Sequence, residues 1–353
     1  SGYGCGHNLL GAGCVGAAVA LKNLMDEQKI PGTIRLYGCA AEETEGAKIY
    51  MAREGLFKDL DVALHWHPGP FARVSNFRST AVDQMRIEFF GKSAHAAGGP
   101  WLGRSAVHAA ELFAHGLNLM REHLEPTARL HYIYESGGLA PNVVPDYARL
   151  VLYIRDIDRT HVEATTVWVK QIAEGAALAT QTKVKTLVYT GLYDLLPNTP
   201  LAARMQVHLE RIGVPSYTEE ELAFARELQQ NFDVEPTGMA IETSPFGDES
   251  DSMGASTDVG DVSWNVPTMG CGMPTMPLEV SVHTWAATAS HGTSIGLKGA
   301  IYAARTLAWT GLDILTDAGL REAARADFER RVKEHPYISP LSSEMKHPLG
   351  LPQ

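Results

Sequence analysis

The sequence predicts an α/β fold in which a domain with a mostly parallel sheet is interrupted by an inserted ferredoxin-like α+β domain. Near the amino terminus, apolar helix-like and strand-like stretches alternate, which is typical of a parallel sheet covered by helices. Between residues 79 and 192 the order becomes β-α-β-β-α-β, the order of a ferredoxin-like unit. We therefore expect residues 1–78 and 193–353 to form the first domain and residues 79–192 to form the insert.

The first segment predicts one helix and two strands that end at a common edge. Residues 9–25 are small and apolar nearly all round, as in a helix packed on a sheet, and residues 33–41 and 61–67 have the pattern of buried strands. Functional groups in such folds collect beyond the carboxyl ends of the strands. The side chains expected there are Glu42, Glu43 and His67.

The insert and the last segment complete the predicted fold. The insert is predicted to contain strands at 84–90, 128–135, 144–155 and 183–190 and helices at 103–122 and 160–178. Beyond it, a helix is predicted from Thr199, and two closing helices at 295–312 and 317–334. Residues 243–276 are rich in Gly, Ser, Asp, Pro and Thr, which predicts loops with a functional role.

Composition excludes several classes of protein. With 45% hydrophobic and 20% charged residues over 353 positions, the chain is predicted to be globular rather than disordered or a coiled coil. A net charge of −11 without a cluster of Lys and Arg argues against nucleic acid and anionic lipid as partners. The four cysteines form no disulfide framework, and we identify no apolar run of about 18 residues, the length of a membrane span, so a cytoplasmic location is expected.

Metal-binding side chains occur at the predicted edge. Cys5 and His7 lie at the head of the first helix, and a thiol and an imidazole are good ligands for Zn, Mn or Co. Of Glu42 and Glu43, one could bind a metal while the other accepts a proton from water. The alternative is a helix amino terminus with acidic residues that complement its dipole.

Four histidines complete the set of candidates. His65 and His67 flank Trp66 on the second strand and are expected on the same face of the sheet, one as a ligand and the other supporting it. Late in the chain, His283 and His291 are the remaining candidates. Five N, O and S ligands with one spare carboxylate suit two clustered metal ions and a general base.

These residues, together with three further motifs, resemble the M20 metallopeptidase family, amidohydrolase branch (subfamily D). The resemblance rests on Cys5-Gly-His7-Asn8, Glu42-Glu43, the strand at 61–67, Gly91-Lys-Ser-Ala-His95-Ala-Ala, Gly137-Gly-Leu-Ala-Pro-Asn142-Val-Val-Pro and Ser256-Thr-Asp-Val-Gly-Asp-Val-Ser-Trp264. It spans nearly the whole chain in consistent order. It implies a catalytic α/β domain whose insert is both a lid and a dimerisation domain.

The resemblance also implies roles for individual residues. Glu42 matches the general base, and the implied ligands of two divalent ions, Mn or Zn, are Cys5, His7, Glu43, His67 and His283, with His291 as the competitor of His283. In the lid, His95 matches a histidine that reaches the partner subunit's site and stabilises an oxyanion. Asn142 and Arg155 match positions that hold the substrate carboxylate.

The activity implied is hydrolysis of the amide bond of N-acyl or N-aroyl amino acids, with p-aminobenzoyl-glutamate as the expected substrate. A homodimer, or a heterodimer with a related subunit, is expected. Two alternatives remain: a dipeptidase acting on β-alanyl-type dipeptides, and a non-catalytic companion subunit. Family members normally have a long stretch before the Cys-Gly-His motif, here at Cys5, so an exposed edge of the catalytic sheet is also expected.

Overall fold

The computed structural model describes residues 3–249, 254–342 and 344–346 of the chain. The strands are β1 (Ala63–Gly69), β2 (Arg73–Val74), β3 (Ala81–Phe90), β4 (Arg129–Gly137), β5 (Tyr147–Asp156), β6 (Lys183–Leu192) and β7 (Thr268–Pro274). The helices are α1 (His7–Gln28), α2 (Ala47–Arg53), α3 (Ala106–Met120), α4 (Arg159–Thr180), α5 (Thr199–Ile212), α6 (Glu219–Gln230), α7 (Val259–Ser263), α8 (Trp285–His291), α9 (Ser294–Thr316) and α10 (Ala318–Val332). Two short 3-10 helices span Pro100–Leu102 and Arg121–His123.

Strands β3 to β6 form an antiparallel sheet in the order β4-β5-β3-β6, which confirms the predicted ferredoxin-like unit. Along β5 every second residue is buried, as expected for a sheet with one face covered. The apolar faces of α3 and α4 pack on that side, where Phe113 of α3 meets Phe89 of β3 with ring centroids 5.9 Å apart. We call this unit, residues 81–192, the lid.

The second sheet has the order β1-β7-β2. β1 pairs with β7 in parallel over seven residues, whereas β2 pairs with β7 in antiparallel fashion over two, so the sheet is mostly parallel, as predicted. The fully buried Trp66 of β1 donates its indole N–H to the Leu10 carbonyl of α1 at 2.9 Å. A Cβ at Gly13 would lie 2.5 Å from the Trp66 ring, so only glycine permits this close approach of α1 to β1.

The prediction of a buried strand at 33–41 is wrong. This segment precedes β1 in the sequence but is assigned to no strand, and most of its residues are exposed, including Leu36 at 52%. Its side-chain contacts are at the surface: Arg35 pairs with Asp59, and the Tyr37 hydroxyl donates to the Leu56 carbonyl. An apolar, extended segment becomes a strand only when another strand pairs with it, and within the described residues no strand does so.

The expectation that no segment reaches membrane-spanning length also needs correction. α1 is 22 residues long, with a mean hydropathy of 1.3 in its most apolar window, and meets the criteria of length and composition. Only 22% of that window is buried: Leu9, Ala17 and Leu21 face the core, the first two in the cluster shared with α9, whereas Val15 and Val19 are about half exposed. The boundaries at residues 78 and 192 stay a prediction.

Candidate active site

Six predicted side chains meet at the carboxyl end of β1. Cys5 and His7 come from the start of α1, Glu42 and Glu43 follow the exposed segment, and His67 is near the end of β1. The sixth, His283, comes just before α8. The Cys5 sulfur lies 3.5 Å from His67 Nε2, and His7 Nε2 lies 3.7 Å from Glu42 and 3.8 Å from Glu43. Three overlapping groups have ligand atoms within 4.8 Å of one another: Cys5, His7 and His67; Cys5, Glu43 and His283; and His7, Glu42 and Glu43.

His67 presents its Nε2 atom to this cluster. Its Nδ1 lies 2.6 Å from the Pro68 carbonyl and must donate to it, which leaves Nε2 as a free lone pair. Burial lowers the pKa of His67, which favours the neutral form that binds metals. His65 is different: its ring packs against Gly270, burial lowers its pKa to about 3, and it belongs to none of the donor groups among the described residues.

His283 and His291 have different surroundings. His283 Nε2 lies 3.6 Å from Glu43 Oε1, and its backbone, at a left-handed φ of 64°, donates to the Gly4 carbonyl at 3.0 Å. His291 is 2% exposed, and its Nδ1 donates to the Tyr3 carbonyl at 3.1 Å. His283 thus belongs to one of the three donor groups. His291 belongs to none of them, and its buried Nε2 atom has no hydrogen-bond partner among the described residues.

Glu42 is oriented by a hydrogen bond from Thr257. The Thr257 hydroxyl donates to Glu42 Oε1 at 2.7 Å, while Glu42 Oε2 faces His7. Burial raises the pKa of Glu42, and the Thr257 hydrogen bond opposes that rise. A carboxylate with one oxygen held and the other free is suited to accept and return a proton.

Arg155 lines the same cleft as the two glutamates. The cleft, about 120 Å³, lies between the lid strands and the loops of the other domain. Its lining residues are Glu42, Glu43, Thr44, Gly46, Val82, Gln84, Arg155, Thr190, Leu192 and Ser256. Arg155 donates to the Ser256 hydroxyl at 2.9 Å, and burial lowers the pKa of Arg155. A half-buried guanidinium near paired carboxylates is suited to binding an anionic ligand.

His95 and Asn142 lie together on a lid surface, away from this cleft. His95 Nδ1 accepts backbone N–H bonds from Ala97 at 3.2 Å and Gly98 at 3.0 Å, so its proton is on Nε2. The backbone carbonyl of Asn142 accepts a hydrogen bond from the Ala96 N–H at 3.0 Å. Both side chains are exposed, and neither lines the cleft with the glutamates.

The donor set fits a divalent transition metal. Imidazole, thiolate and carboxylate are the protein ligands of zinc, and imidazole and carboxylate also suit manganese. Burial, and then the charges of Glu43 and Glu42, raise the pKa of the Cys5 thiol. The thiol and the carboxylates therefore lie close together, and a bound cation would offset the repulsion between their charged forms.

Sequence reasoning predicted functional loops within residues 243–276 but assigned no individual role to Ser256, Thr257 or Asp258. Ser256 contacts Arg155, Thr257 contacts Glu42, and the fully buried Asp258 pairs with Lys48 at 2.7 Å. The signal was present, since these three residues begin one of the motifs on which the resemblance rests. Their partners lie 101 to 215 residues away, which no local pattern reveals.

The comparisons with known proteins point to one family. The sequence profile of the M20 peptidase dimerisation domain matches residues 81–180, within the lid. The chain is 38% identical over 367 aligned positions to the B-type subunit of p-aminobenzoyl-glutamate hydrolase from Escherichia coli, with 97% of this chain and 76% of that protein aligned. It is also 28% identical to Xaa-Arg dipeptidase of Mus musculus, covering 96% of this chain and 72% of the relative.

Two solved structures share the fold. One is an aminobenzoyl-glutamate utilization protein from Klebsiella pneumoniae, with a TM-score of 0.51 and 20% identity, covering 84% of this chain and 66% of that one. The other is a dinuclear metal-binding peptidase of the M20 family from Bacillus subtilis, with a TM-score of 0.50 and 16% identity, covering 86% and 72%. Fold and donor set define a metal-dependent amidohydrolase. The chain belongs to the M20 metallopeptidase family, in its amidohydrolase branch.

Proposed function

We propose that this protein hydrolyses the amide bond of N-acyl or N-aroyl amino acids, and that p-aminobenzoyl-glutamate, cleaved to p-aminobenzoate and glutamate, is its substrate. The observation that supports this most directly is the cleft lined jointly by Glu42, Glu43 and Arg155. In this cleft, a group for proton transfer, Glu42, and a metal-binding group, Glu43, lie beside the Arg155 guanidinium, which can bind a substrate carboxylate. The name of the Escherichia coli relative points to the same substrate.

We propose two divalent ions, Mn or Zn, as the cofactor. Cys5, His7, Glu43, His67 and His283 would hold them, since their donor atoms converge at the end of β1. When bound, such ions polarise the scissile carbonyl and lower the pKa of water. Glu42 is left as the base because Thr257 fixes its Oε1 atom.

In this proposal Glu42 moves the proton. Its free Oε2 atom accepts a proton from the attacking water and then delivers it to the leaving nitrogen. The raised pKa of Glu42 suits both steps, because a carboxylic acid with a pKa nearer neutrality can both accept and return a proton. The two transfers balance, so Glu42 ends the cycle ionised.

The lid residues would bind the substrate and stabilise the transition state. Arg155 is proposed to hold the substrate carboxylate in the cleft of its own chain, and Asn142, which lies beside His95, to hold it in the site of the partner protomer. His95 is proposed to donate its Nε2–H to the oxyanion, in the site of the partner protomer rather than its own, since it does not line the cleft of its own chain.

This arrangement requires a dimer, and we propose a homodimer or a heterodimer with a related protein. The Escherichia coli relative is named as one subunit of a hydrolase with more than one kind of subunit. A homologue of the A-type subunit, from Haemophilus influenzae, is 28% identical over 55% of this chain. We also propose a cytoplasmic location, which suits the four free cysteines.

The direct test is hydrolysis by the purified protein, chelated and then reloaded with Mn or Zn. We expect metal-restored release of p-aminobenzoate from p-aminobenzoyl-glutamate. The matched substrate is p-aminobenzoyl-4-aminobutyrate, which lacks the α-carboxylate and should be cleaved poorly. Equal rates of hydrolysis of the two compounds would contradict the proposed role of Arg155. If the metal-bound protein cleaved neither compound, p-aminobenzoyl-glutamate would be excluded as its substrate.

A dipeptidase is the second candidate, because a relative 28% identical over nearly the whole chain is an Xaa-Arg dipeptidase. This alternative predicts a preference for a free amino group on the acyl side. Assays with β-alanyl and Xaa-Arg dipeptides distinguish the two. A protein that binds the acyl amino acid without cleaving it would instead be a non-catalytic companion in the assembly.

A further inference from the structure

We propose that the loop Ser256-Thr257-Asp258 positions the general base, Glu42, and the substrate-binding residue, Arg155, relative to each other. Thr257 contacts Glu42, and Ser256 contacts Arg155. The inference rests on the proposed function for the roles of Glu42 and Arg155. The contacts that support it are independent of any substrate. Each of the three side chains contacts a different element of the fold, and their order along the chain fixes the spacing of these elements.

Thr257 orients Glu42. The Val259 N–H approaches the Thr257 hydroxyl oxygen at 3.4 Å, while that hydroxyl donates to Glu42 Oε1 at 2.7 Å. A short bond to a carboxylate is of the stronger, charge-assisted kind. Because it engages Oε1 only, Oε2 remains available for the water proton.

Ser256 holds Arg155. The Arg155 Nη1 group donates to Ser256 Oγ at 2.9 Å, and Ser256 Oγ lies 3.0 Å from the Thr80 hydroxyl. Thr80 in turn donates to the Ala255 carbonyl at 3.2 Å, so the Ser256 proton is directed to Thr80. Arg155 is thereby held through one nitrogen, and its remaining N–H groups can bind a carboxylate.

Asp258 anchors the loop beside the glutamates. Its fully buried carboxylate accepts from the Lys48 ammonium at 2.7 Å and from the Lys48 backbone N–H at 3.1 Å. Lys48 is in α2, a few residues after Glu43. The segment bearing the base and the loop that orients it are therefore fixed to each other, and Arg155 of the lid strand β5 is attached to the same loop.

The first experiment compares Thr257→Val, Thr257→Ser and Ser256→Ala in the metal-loaded full chain. Thr257→Val should lower kcat by about 10- to 100-fold, the effect of losing a hydrogen bond to a charged group, with KM nearly unchanged. Thr257→Ser should restore kcat to within about threefold, because serine keeps the hydroxyl. Ser256→Ala should instead raise KM by about 3- to 10-fold with little effect on kcat.

Thr306→Val is the matched control. It removes the hydroxyl of a fully buried threonine, which donates to the Tyr302 carbonyl within α9, and Thr306 is not among the residues that line the cleft. Its kcat and KM should remain at wild-type values. If Thr257→Ser fails to rescue, or if Ser256→Ala lowers kcat as much as Thr257→Val does, the division of roles within the loop is wrong.

Crystal structures of the metal-loaded variants test the inference without any substrate. We expect the Glu42 carboxylate in the same place in the wild type and Thr257→Ser, and turned away in Thr257→Val, with equal metal content in all three. A Glu42 side chain that does not move in Thr257→Val overturns the positioning role even if the enzyme is active. If the wild type does not cleave p-aminobenzoyl-glutamate but Glu42 still moves in Thr257→Val, the proposed substrate is refuted and the positioning role of the loop is supported.

Discussion

The lid and the cleft beneath it differ in how far apart in the sequence their contacting residues lie. The lid packs two helices onto four strands that follow one another between residues 81 and 192, and one core joins them. The cleft and the donor cluster beside it instead join groups far apart in the chain: Cys5 and His67 are 62 residues apart, and Glu42 and Thr257 are 215 apart. The lid is therefore a self-contained unit, whereas the site exists only when most of the chain has folded.

The two regions also differ in the polar groups they bury. The lid core is largely apolar, and the charged groups it buries include Arg159 and Asp83, which pair with each other, and Asp156. The cleft region fully buries Asp258 and Asp261 and partly buries His67, and burial shifts the pKa of His67 and Asp261 toward the neutral form. Substitutions in the lid core should thus affect stability first, and substitutions in the cleft should affect chemistry first.

The largest expected effect is that of Glu42→Gln. Loss of the general base should lower kcat by about 10² to 10⁴ with metal content unchanged, because Glu42 is not among the proposed ligands. Glu45→Gln, an exposed neighbour on the same segment, is the control and should behave as wild type. Turnover of Glu42→Gln within about tenfold of wild type would mean that another group takes the proton.

Phe113→Ala tests the lid side of the comparison. Its ring is fully buried against Phe89, so the free energy of unfolding should fall by about 3 to 5 kcal/mol. Chemical denaturation measures this, with Leu112→Ala, 42% exposed on the same helix, as the control. Metal content of the folded fraction should be unchanged; loss of metal at a temperature where the variant is folded would show that the two regions are not independent.

His95→Ala addresses the one lid residue proposed to act in the chemistry. Removal of an oxyanion donor should lower kcat by about 10² to 10³, while the dimer and its metal content remain intact. His108→Ala, exposed on α3, is the matched control. Sedimentation and metal analysis accompany the kinetics, and normal activity of His95→Ala in an intact dimer would exclude the oxyanion role.

His283→Ala and His291→Ala compare two histidines in one region. His283 lies beside Glu43, so its loss should weaken metal binding by about tenfold or more, whereas loss of the more deeply buried His291 should chiefly reduce stability. Titration with Zn or Mn measures both affinities. Weaker binding in His291→Ala alone would move the fifth ligand to His291.

The pH dependence of stability tests the buried carboxylate of Asp261. Burial raises its pKa to about 7, so the folded chain binds a proton that the unfolded chain releases near pH 4. The contribution of Asp261 to the free energy of unfolding therefore falls as pH rises between about 4 and 7, by up to about 1.4 kcal/mol per pH unit. Asp261→Asn should make the free energy of unfolding, measured by denaturation at each pH, depend less on pH between about 4 and 7. A steeper fall with pH in the variant would contradict the expected direction of this dependence.

The sequence was sufficient for much of the fold. α1, the two closing helices and the complete order of the lid follow from local hydrophobic periodicity, because such patterns fix helices and half-buried strands directly. The segment at 33–41 shows where this reasoning fails: its residues are typical of a strand, yet pairing depends on a partner strand that periodicity does not identify.

For the site, the sequence by itself determined which candidate metal-binding side chains are present, the two adjacent glutamates and the family to which they point. Only the tertiary structure decided that His283 rather than His291 faces Glu43, that Arg155 shares the cleft while His95 does not, and that Thr257 holds Glu42. The physical reason is that side-chain chemistry is a property of each residue. Convergence of these side chains is a property of packing between segments up to 215 residues apart.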